Sequence, residues 1–126
     1  MSEEGKGGLP TAGPAAPPSL ISIDDFKKIT LRVGVVTAAQ DHPNAERLLV
    51  LTVDVGDGTP RQLVAGIKGS YQASDLIGKH VVVVANLKSA TLRGVESQGM
   101  VLAASDGSSI VLVGPERSIR AGSPVK

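Results

Sequence analysis

The residues best suited to bind a ligand are the cations and amides of one segment, residues 86–104. It leaves an apolar stretch through Asn86, carries Lys88 and Arg93, and enters a second apolar stretch through Ser97-Gln98-Gly99-Met100. Lysine and arginine neutralise anionic groups such as phosphates, and asparagine both donates and accepts hydrogen bonds. A packed core does not require two cations on a glycine-containing loop. We therefore expect this segment to meet a ligand.

A second polar segment, between two other apolar stretches, holds His42, Asn44 and Arg47. His42 precedes a proline and is typical of a turn residue, so we expect no chemistry from it. Asn44 and Arg47 are candidate ligand contacts. A structural explanation also exists for Arg47, because Asp41 and Glu46 are possible ion-pair partners.

Three further candidates, Arg32, Ser97 and Met100, are open to two explanations. Arg32 is either a ligand contact or a solvated charge on the outer face of a strand. Ser97 is either a ligand contact or a cap on the loop backbone, and Met100 is most simply core filling. Lys88 and Arg93 have no such packing role, which makes them the stronger pair.

Composition limits the chain to one domain of ordinary type. It has 126 residues, of which 41% are hydrophobic and 20% charged. Zero cysteines exclude disulfides and thiolate chemistry and fit a reducing cytoplasm. The longest uncharged apolar run, Val81 to Leu87, is far shorter than the roughly 20 residues that span a bilayer. We predict a soluble cytoplasmic protein with no membrane contact.

Residues 1–20 differ in composition from the rest, since glycine and proline supply eight of the twenty. Such a segment has too little apolar surface to offset the entropy of ordering. We predict a disordered tail or linker there and one folded domain over residues 21–126. The domain has twelve cations and ten anions, so affinity for nucleic acid depends on where the cations lie rather than on net charge.

Apolar periodicity gives the order of elements in the domain. Strands are predicted over residues 29–36, 48–55, 61–67, 79–87 and 96–104, with an extra strand over 109–113. In the first strand, Ile29, Leu31, Val33 and Val35 alternate onto one face. A helical turn capped by Ser22 precedes that strand. A short helix over 70–78, with Leu76 and Ile77 facing inward, lies between the third and fourth strands.

This order is that of the OB-fold, a five-stranded, partly open Greek-key barrel. We predict an all-β barrel of this type, with one short helix between strands three and four and a C-terminal extra strand. Gly34 within the first strand suggests a bend or a close approach at a barrel corner. A small sandwich or another barrel would give the same list of elements. In OB-folds, oligonucleotides lie across strands two and three, between the two loops that carry the polar segments here.

Three runs of residues, in this order, resemble the bacterial tRNA-binding domain. They are Phe26-x-x-Ile29-x-Leu31-Arg32-Val33-Gly34, then His42-Pro43-x-Ala45-x-Arg47-Leu48, then Leu87 to Ala104 with Arg93-Gly94-Val95-Glu96-Ser97-Gln98-Gly99-Met100. This module is appended to methionyl-tRNA synthetases and occurs as free-standing dimeric tRNA-binding proteins. The OB part of the endothelial monocyte-activating polypeptide is similar. The resemblance covers residues 22–126.

The resemblance implies a non-catalytic module that binds tRNA through its shape and backbone, with little discrimination among tRNA species. It also implies a homodimer, with an interface over residues 110–125, and methionyl-tRNA synthetase as a candidate partner. The positions that it implicates are Arg32, Arg47, Asn86, Lys88, Arg93, Ser97 and Met100, to which the loop argument adds Asn44. Ser89-Ala90-Thr91 departs from the family pattern, since many members carry a proline and a lysine there, which predicts weaker phosphate contact.

Other functions are less well supported by the residues. The chain lacks a complete G-x-S-x-G nucleophile elbow, a phosphate loop and a dinucleotide fingerprint, so we expect no catalysis and no cofactor. His42 and His80 are distant in sequence and form no paired metal-ligand motif. Aromatics are 2% of the residues, which favours a folded RNA over stacked single strands. The alternative is a peptide-binding export chaperone, which a related branch of small OB-fold dimers resembles.

Overall fold

A computed structural model of the chain describes residues 19–126. The predicted tail over residues 1–20 lies outside the described residues, apart from Ser19 and Leu20. In chain order, the elements are α1 (Ile23–Phe26), β1 (Leu31–Asp41), β2 (Leu49–Asp54), β3 (Arg61–Ala65), a 3-10 turn (Ala73–Asp75), β4 (His80–Val84), β5 (Ala90–Leu92), β6 (Val95–Ser97), β7 (Met100–Val101), β8 (Ala103–Ser105), β9 (Ile110–Leu112) and β10 (Pro124–Val125). No helix within this described part is long and apolar enough to cross a membrane.

Strand β1 organises the sheet because it pairs with three other strands. Its first half is antiparallel to β4 and its second half to β2, while β10 adds to its start. The order of the main sheet is β3-β2-β1-β4-β7. A register shift between Val36 and Ala38 bends β1 and lets it serve both neighbours. The sheet curls into a nearly closed barrel, so the predicted all-β, OB-like class is confirmed.

Valine and leucine build almost the whole interior. The buried cluster comprises Val36, Leu49, Leu51, Val53, Val55, Leu63, Ala65, Ile67, Leu76, Val81, Val83 and Val101. Branched aliphatic side chains pack well on pleated surfaces, and burying each one fully contributes about 1.5–3 kcal/mol. Gly34 lies among them, and a Cβ there would clash with the Val53 side chain. The close approach predicted at Gly34 is therefore confirmed.

The barrel closes between β3 and residues 97–99, at the end of β6, mainly through side-chain hydrogen bonds rather than through a strand ladder. The Gln62 N–H donates to Gln98 Oε1 (2.9 Å), and the Gln98 N–H donates back to Gln62 O (2.7 Å). The Val64 N–H donates to Ser97 Oγ (3.0 Å), which itself donates to Gly99 O (3.0 Å). The Ser97-Gln98-Gly99 run thus occupies the seam of the barrel.

Several predicted elements are wrong in extent. Only a 3-10 turn over Ala73–Asp75 forms where a helix over 70–78 was predicted. Leu76 is fully buried, but Ile77 is 53% exposed, so a single apolar anchor faces the core. One anchor does not offset the unfavourable nucleation of so short a helix. The turn ends at Leu76, its C-cap, rather than at the predicted Gly78, although Gly78 has a positive φ of +86°.

The fifth strand and the first strand also differ from prediction. The run over 96–104 is split among β6, β7 and β8, because Gly99 has a φ of +140°, outside the strand region. The supposed loop before it contains β5, which pairs with β6 as a hairpin.

The alternation predicted for the first strand, with one buried face, is wrong at two positions. Ile29 lies before β1 and is exposed, and Val36 is buried. Both faces of β1 are partly covered where the sheet curls. The Ser22 cap of α1 is confirmed, since its hydroxyl accepts from the Asp25 N–H at 3.0 Å.

Candidate nucleic-acid interface

An open groove of about 410 Å³ lies between the end of β3 and the β5–β6 hairpin. Residues 64–67 form one wall, and Leu87, Ala90 and Leu92 form the other. Lys88 is the one charged side chain among the described residues that line it, and none of those residues is aromatic. OB-folds bind their ligands across strands two and three; this groove reaches the end of β3, but none of its described lining residues belongs to β2.

Arg93 and Gly94 form the tip of the hairpin beside this groove. Leu92 pairs with Val95, so the turn has two residues, with φ values of +53° and +90°. Two positive φ angles define a type I′ turn, in which Asn-Gly is strongly preferred. Arg93 is the one non-glycine residue with positive φ within residues 19–126, and this backbone costs about 1–2 kcal/mol. Because Arg93 is exposed, this turn holds a cation at the tip of the hairpin.

His42 joins the hairpin to the loop between β1 and β2. Its ring is 5% exposed. The His42 Nε2–H donates to Leu92 O (2.9 Å), and Nδ1 accepts from the Asn44 N–H (2.9 Å). These partners assign the neutral Nε2–H tautomer, because a carbonyl oxygen only accepts and an N–H only donates. Arg93 Nη2 donates to Asn44 O (3.1 Å), so two hydrogen bonds link the loop to the hairpin tip, and the Nδ1 bond orders the loop itself.

Lys88 in the groove, Arg93 at the hairpin tip and Arg47 on the β1–β2 loop have no carboxylate partner within the described residues. The ion pairs there are Lys28–Asp25, Arg61–Asp57 and Lys68–Asp41. Asp41, a suggested partner of Arg47, therefore pairs with Lys68 instead, at 3.2 Å. Arg47, Lys88 and Arg93 are exposed, so their charges remain available to an anion from solution.

The other candidates predicted from sequence lie apart or are engaged in the fold. Arg32 donates to Gly122 O (3.0 Å) on the C-terminal segment. Asn86 accepts from the Thr30 N–H (2.9 Å) and donates to Lys28 O (2.6 Å), so both ends of its amide brace the start of β1. Their side chains are thus directed to the backbone rather than to the groove.

Ser97 and Met100 line the groove in different ways. Ser97 is 4% exposed and both accepts from Val64 and donates to Gly99, as expected for the capping alternative. Met100 is 46% exposed rather than core filling. It lines this groove and an adjacent apolar cavity next to α1.

Sequence reasoning missed the link through His42. Its contact with Asn44, two residues on, is the expected turn role, but its contact with Leu92 spans 50 residues. No local pattern encodes that pairing. The Gln62–Gln98 exchange was missed for the same reason, since two isolated glutamines carry no spacing signal.

Comparison with known proteins places these features in a family. Residues 31–124 match the family model described as "Putative tRNA binding domain". The methionine–tRNA ligase of Thermococcus kodakarensis is 49% identical over 106 residues, which cover 84% of this chain and 14% of that protein. The chain thus spans a small part of the length of the curated relatives that it matches.

Two solved structures have the same fold over nearly the same region. The MetRS related protein from Pyrococcus horikoshii matches with a TM-score of 0.80 and 32% identity, over 86% of this chain and 100% of that chain. The chaperone CsaA of Bacillus anthracis matches with a TM-score of 0.79 and 28% identity, over the same shares.

Proposed function

The chain belongs to the tRNA-binding domain family, and we propose from this that its barrel binds tRNA through the phosphate backbone without catalysing a reaction. The observation that carries the proposal is a set of exposed cations, Lys88 in the groove, Arg93 at the hairpin tip and Arg47 on the β1–β2 loop, none paired with a carboxylate of the described residues. Cations that neutralise phosphates supply most of the sequence-independent affinity for nucleic acids. Little discrimination among tRNA species is expected from such contacts.

The absence of rings from the groove supports a folded RNA rather than a single strand. Phe26, the last residue of α1, lines a different cavity, and the Tyr71 hydroxyl accepts from the Leu112 N–H at 3.0 Å. Base stacking on aromatic side chains is the main sequence-tolerant contact of single-strand binders. A folded tRNA instead offers its backbone and shape. Asn44, Ser97 and Met100 then contribute by presenting or shaping the loops, while Arg32 and Asn86 have the weakest support as direct contacts.

The test is filter binding of bulk tRNA to the full chain and to a variant with both Lys88→Ala and Arg93→Ala. We expect the variant to bind more weakly and the slope of log K against log salt to decrease by about two, one for each phosphate that is no longer neutralised. The matched control is Lys79→Ala with Arg117→Ala, which removes two charges at the other end of β4. Equal losses of affinity in both variants, or none, would move the interface away from the hairpin.

A second candidate function is peptide binding of the chaperone type. It is favoured by the structural similarity to CsaA and by the apolar lining of the groove. Suppression of aggregation of a heat-denatured test protein measures this activity. Leu87→Asp should abolish it if the groove holds peptide, whereas the Lys88 and Arg93 variant should retain it.

We further propose that the chain works as a homodimer in the cytoplasm, as an accessory to methionyl-tRNA synthetase. Exposed apolar side chains remain in the predicted interface segment, namely Val111, Val113 and Ile119. Light scattering after size exclusion should give twice the 12.8 kDa of one chain. Val111→Asp should produce the monomer, and Ile77→Asp, an exposed site elsewhere, should not. A monomeric wild-type chain would overturn the dimer.

Synthetase association is tested separately. Purified methionyl-tRNA synthetase should retain the chain in a pull-down, or show a lower KM for tRNA when the chain is present. Neither effect would be seen if the domain acts alone.

A further inference from the structure

We propose that His42 is a positioning residue of the tRNA interface, which holds the hairpin tip so that Arg93 meets the RNA backbone. This inference rests on the proposed function of the domain. In this view the buried, uncharged His42 contributes to tRNA affinity indirectly, by positioning the exposed cation of Arg93. The physical basis is how few hydrogen bonds hold the hairpin in place.

The β5–β6 hairpin is a weakly supported element. All three residues of β5 are exposed, and a two-stranded hairpin of this length is marginal in water by itself. At its base, β6 is held to β3 by the Ser97 and Gln98 hydrogen bonds and by one from Gln62 Nε2 to Glu96 O (2.7 Å). At its tip, the hydrogen bonds that join residues 90–94 to described residues outside the hairpin are the two that reach His42 and Asn44.

The imidazole fixes two segments with respect to each other. Its Nε2–H is bonded to the carbonyl of Leu92, the residue immediately before Arg93. Its Nδ1 holds the N–H of Asn44, whose carbonyl accepts from the Arg93 guanidinium. Leu92, His42 and Asn44 are thus connected in series by hydrogen bonds, and the rigid imidazole sets the distance between Leu92 O and the Asn44 N–H. An apolar side chain would fill the same space but leave both segments unpaired.

This arrangement also accounts for the strained backbone of Arg93. A left-handed arginine persists only where neighbouring contacts over-determine it. Two hydrogen bonds hold Arg93. One fixes the carbonyl of Leu92, the residue before it, and the other joins its own guanidinium to Asn44 O. Without the ring, the hairpin backbone would lose its hydrogen bond to the β1–β2 loop, and this contact would no longer orient the Arg93 guanidinium.

Two substitutions separate the contacts of the ring. In His42→Asn the side-chain oxygen can still accept from the Asn44 N–H, as in an Asx turn, but cannot reach Leu92. In His42→Gln the longer amide can donate to Leu92 O. We expect His42→Asn to weaken tRNA binding about three- to tenfold, the equivalent of one hydrogen bond. His42→Gln should stay within about twofold of the wild type, on the same scale.

The decisive experiment combines these variants with Arg93→Asn in a double-mutant cycle on the full chain, read by filter binding of bulk tRNA. If the ring acts through Arg93, His42→Asn should have less than about a twofold effect once the guanidinium is absent. The same fold-loss in both backgrounds would show a general effect on the fold and overturn the inference. So would a His42→Gln variant as weak as His42→Asn. Wild-type protein that fails to retain tRNA would instead refute the proposed function itself.

A measurement on the wild-type chain guards against variants that do not fold. The His42 Nε2–H should give a slowly exchanging proton resonance, and it should persist when tRNA is added. Loss of that resonance on binding would mean that the contact breaks in the complex, which is incompatible with a positioning role.

Discussion

Individual side chains of this domain divide into those that use their polar atoms within the fold and those that do not. Asn86 and Ser97 satisfy backbone groups on both sides. Arg47 and Lys88 make no side-chain hydrogen bond or ion pair within residues 19–126, and Arg93 makes one bond to a carbonyl. Polar residues that are close in sequence, such as Asn86 and Lys88, therefore differ in whether their side chains bond within the fold.

Arg93→Asn should separate stability from binding. Asparagine tolerates the left-handed backbone better than arginine, so we expect the free energy of unfolding to rise by up to about 1 kcal/mol. tRNA affinity should fall because the charge is removed. Urea unfolding and filter binding measure the two effects, with Lys79→Asn as the control for charge removal elsewhere. A loss of stability greater than about 1 kcal/mol would mean that the turn is not strained.

Ser97→Ala should destabilise the domain whether or not Ser97 contacts RNA. The substitution leaves the buried Val64 N–H without its acceptor, which costs about 1–3 kcal/mol. Ser89→Ala, on the exposed loop, is the control and should change the unfolding free energy by less than about 0.5 kcal/mol. Equal effects of the two substitutions in thermal unfolding would contradict the role of Ser97 in the seam.

At the scale of elements, the second half of the domain is built from strands of two or three residues. Strands this short gain little from their own ladders. They are held by contacts between turns and neighbouring strands, such as Gln98 with Gln62 and Tyr71 with Leu112. Their turns consequently matter more to stability than their lengths suggest.

Gly99→Ala tests the turn at the barrel seam. A Cβ at Gly99 would lie 2.9 Å from Val84 O, on a backbone with a φ of +140°. Gly107, with a φ of +93° and no atom within 4 Å of its added Cβ, is the matched control. Both alanine variants should lose about 1–2 kcal/mol through the positive φ, and Gly99→Ala should lose clearly more through the clash. Chemical denaturation that ranks them equally would mean that the seam can relax.

The turn between β8 and β9 should depend on acid. Hydrogen bonds from the Ser108 N–H, then from the Ser109 N–H, lower the pKa of Asp106 from 3.8 to about 2. Because the folded pKa is lower than the unfolded one, the stabilisation is present above pH 3.8 and is lost as the pH falls towards 2. Wild type should be more stable than Asp106→Ala at neutral pH, and thermal unfolding should show the difference vanish near pH 2. A constant difference would exclude this titration.

At the scale of the whole molecule, binding cannot arise from bulk charge, since the net charge is +1. Lys28, Arg61 and Lys68 are neutralised locally by ion pairs. Arg47, Lys88 and Arg93 have no carboxylate partner within residues 19–126, so the two polar loops carry positive charge that no neighbouring carboxylate offsets. This arrangement predicts modest affinity that comes from few phosphate contacts.

The salt dependence of tRNA binding measures how many phosphates the domain neutralises. Three phosphate contacts give a slope of about −2.7 for log K against log salt, so affinity should fall roughly 40-fold between 50 and 200 mM salt. Filter binding over that range tests it. A slope near zero would exclude backbone contacts, and a slope much steeper than this would require cations outside the groove.

The order of the elements could be predicted from the sequence because it depends on local signals. Apolar runs rich in valine and leucine marked strands β1 to β4, and Ser22 marked the start of α1. The motifs around His42 and Arg93 indicated the family, and Lys88 and Arg93 were recognisable as cations without a packing role. These features depend on residues that are close in sequence.

Only the tertiary structure decided what each polar residue of the two loops does. Leu92 and His42, Gln62 and Gln98, and Asp41 and Lys68 are distant in sequence, and each pair meets because the barrel curls. The segment first recognised as a ligand loop therefore divides into residues that serve the fold and residues that stay exposed. Ser97 and Gly99 lie at the barrel seam, while Lys88 and Arg93 stay exposed, because hydrogen-bond partners and burial depend on the folded surroundings and not on residue type.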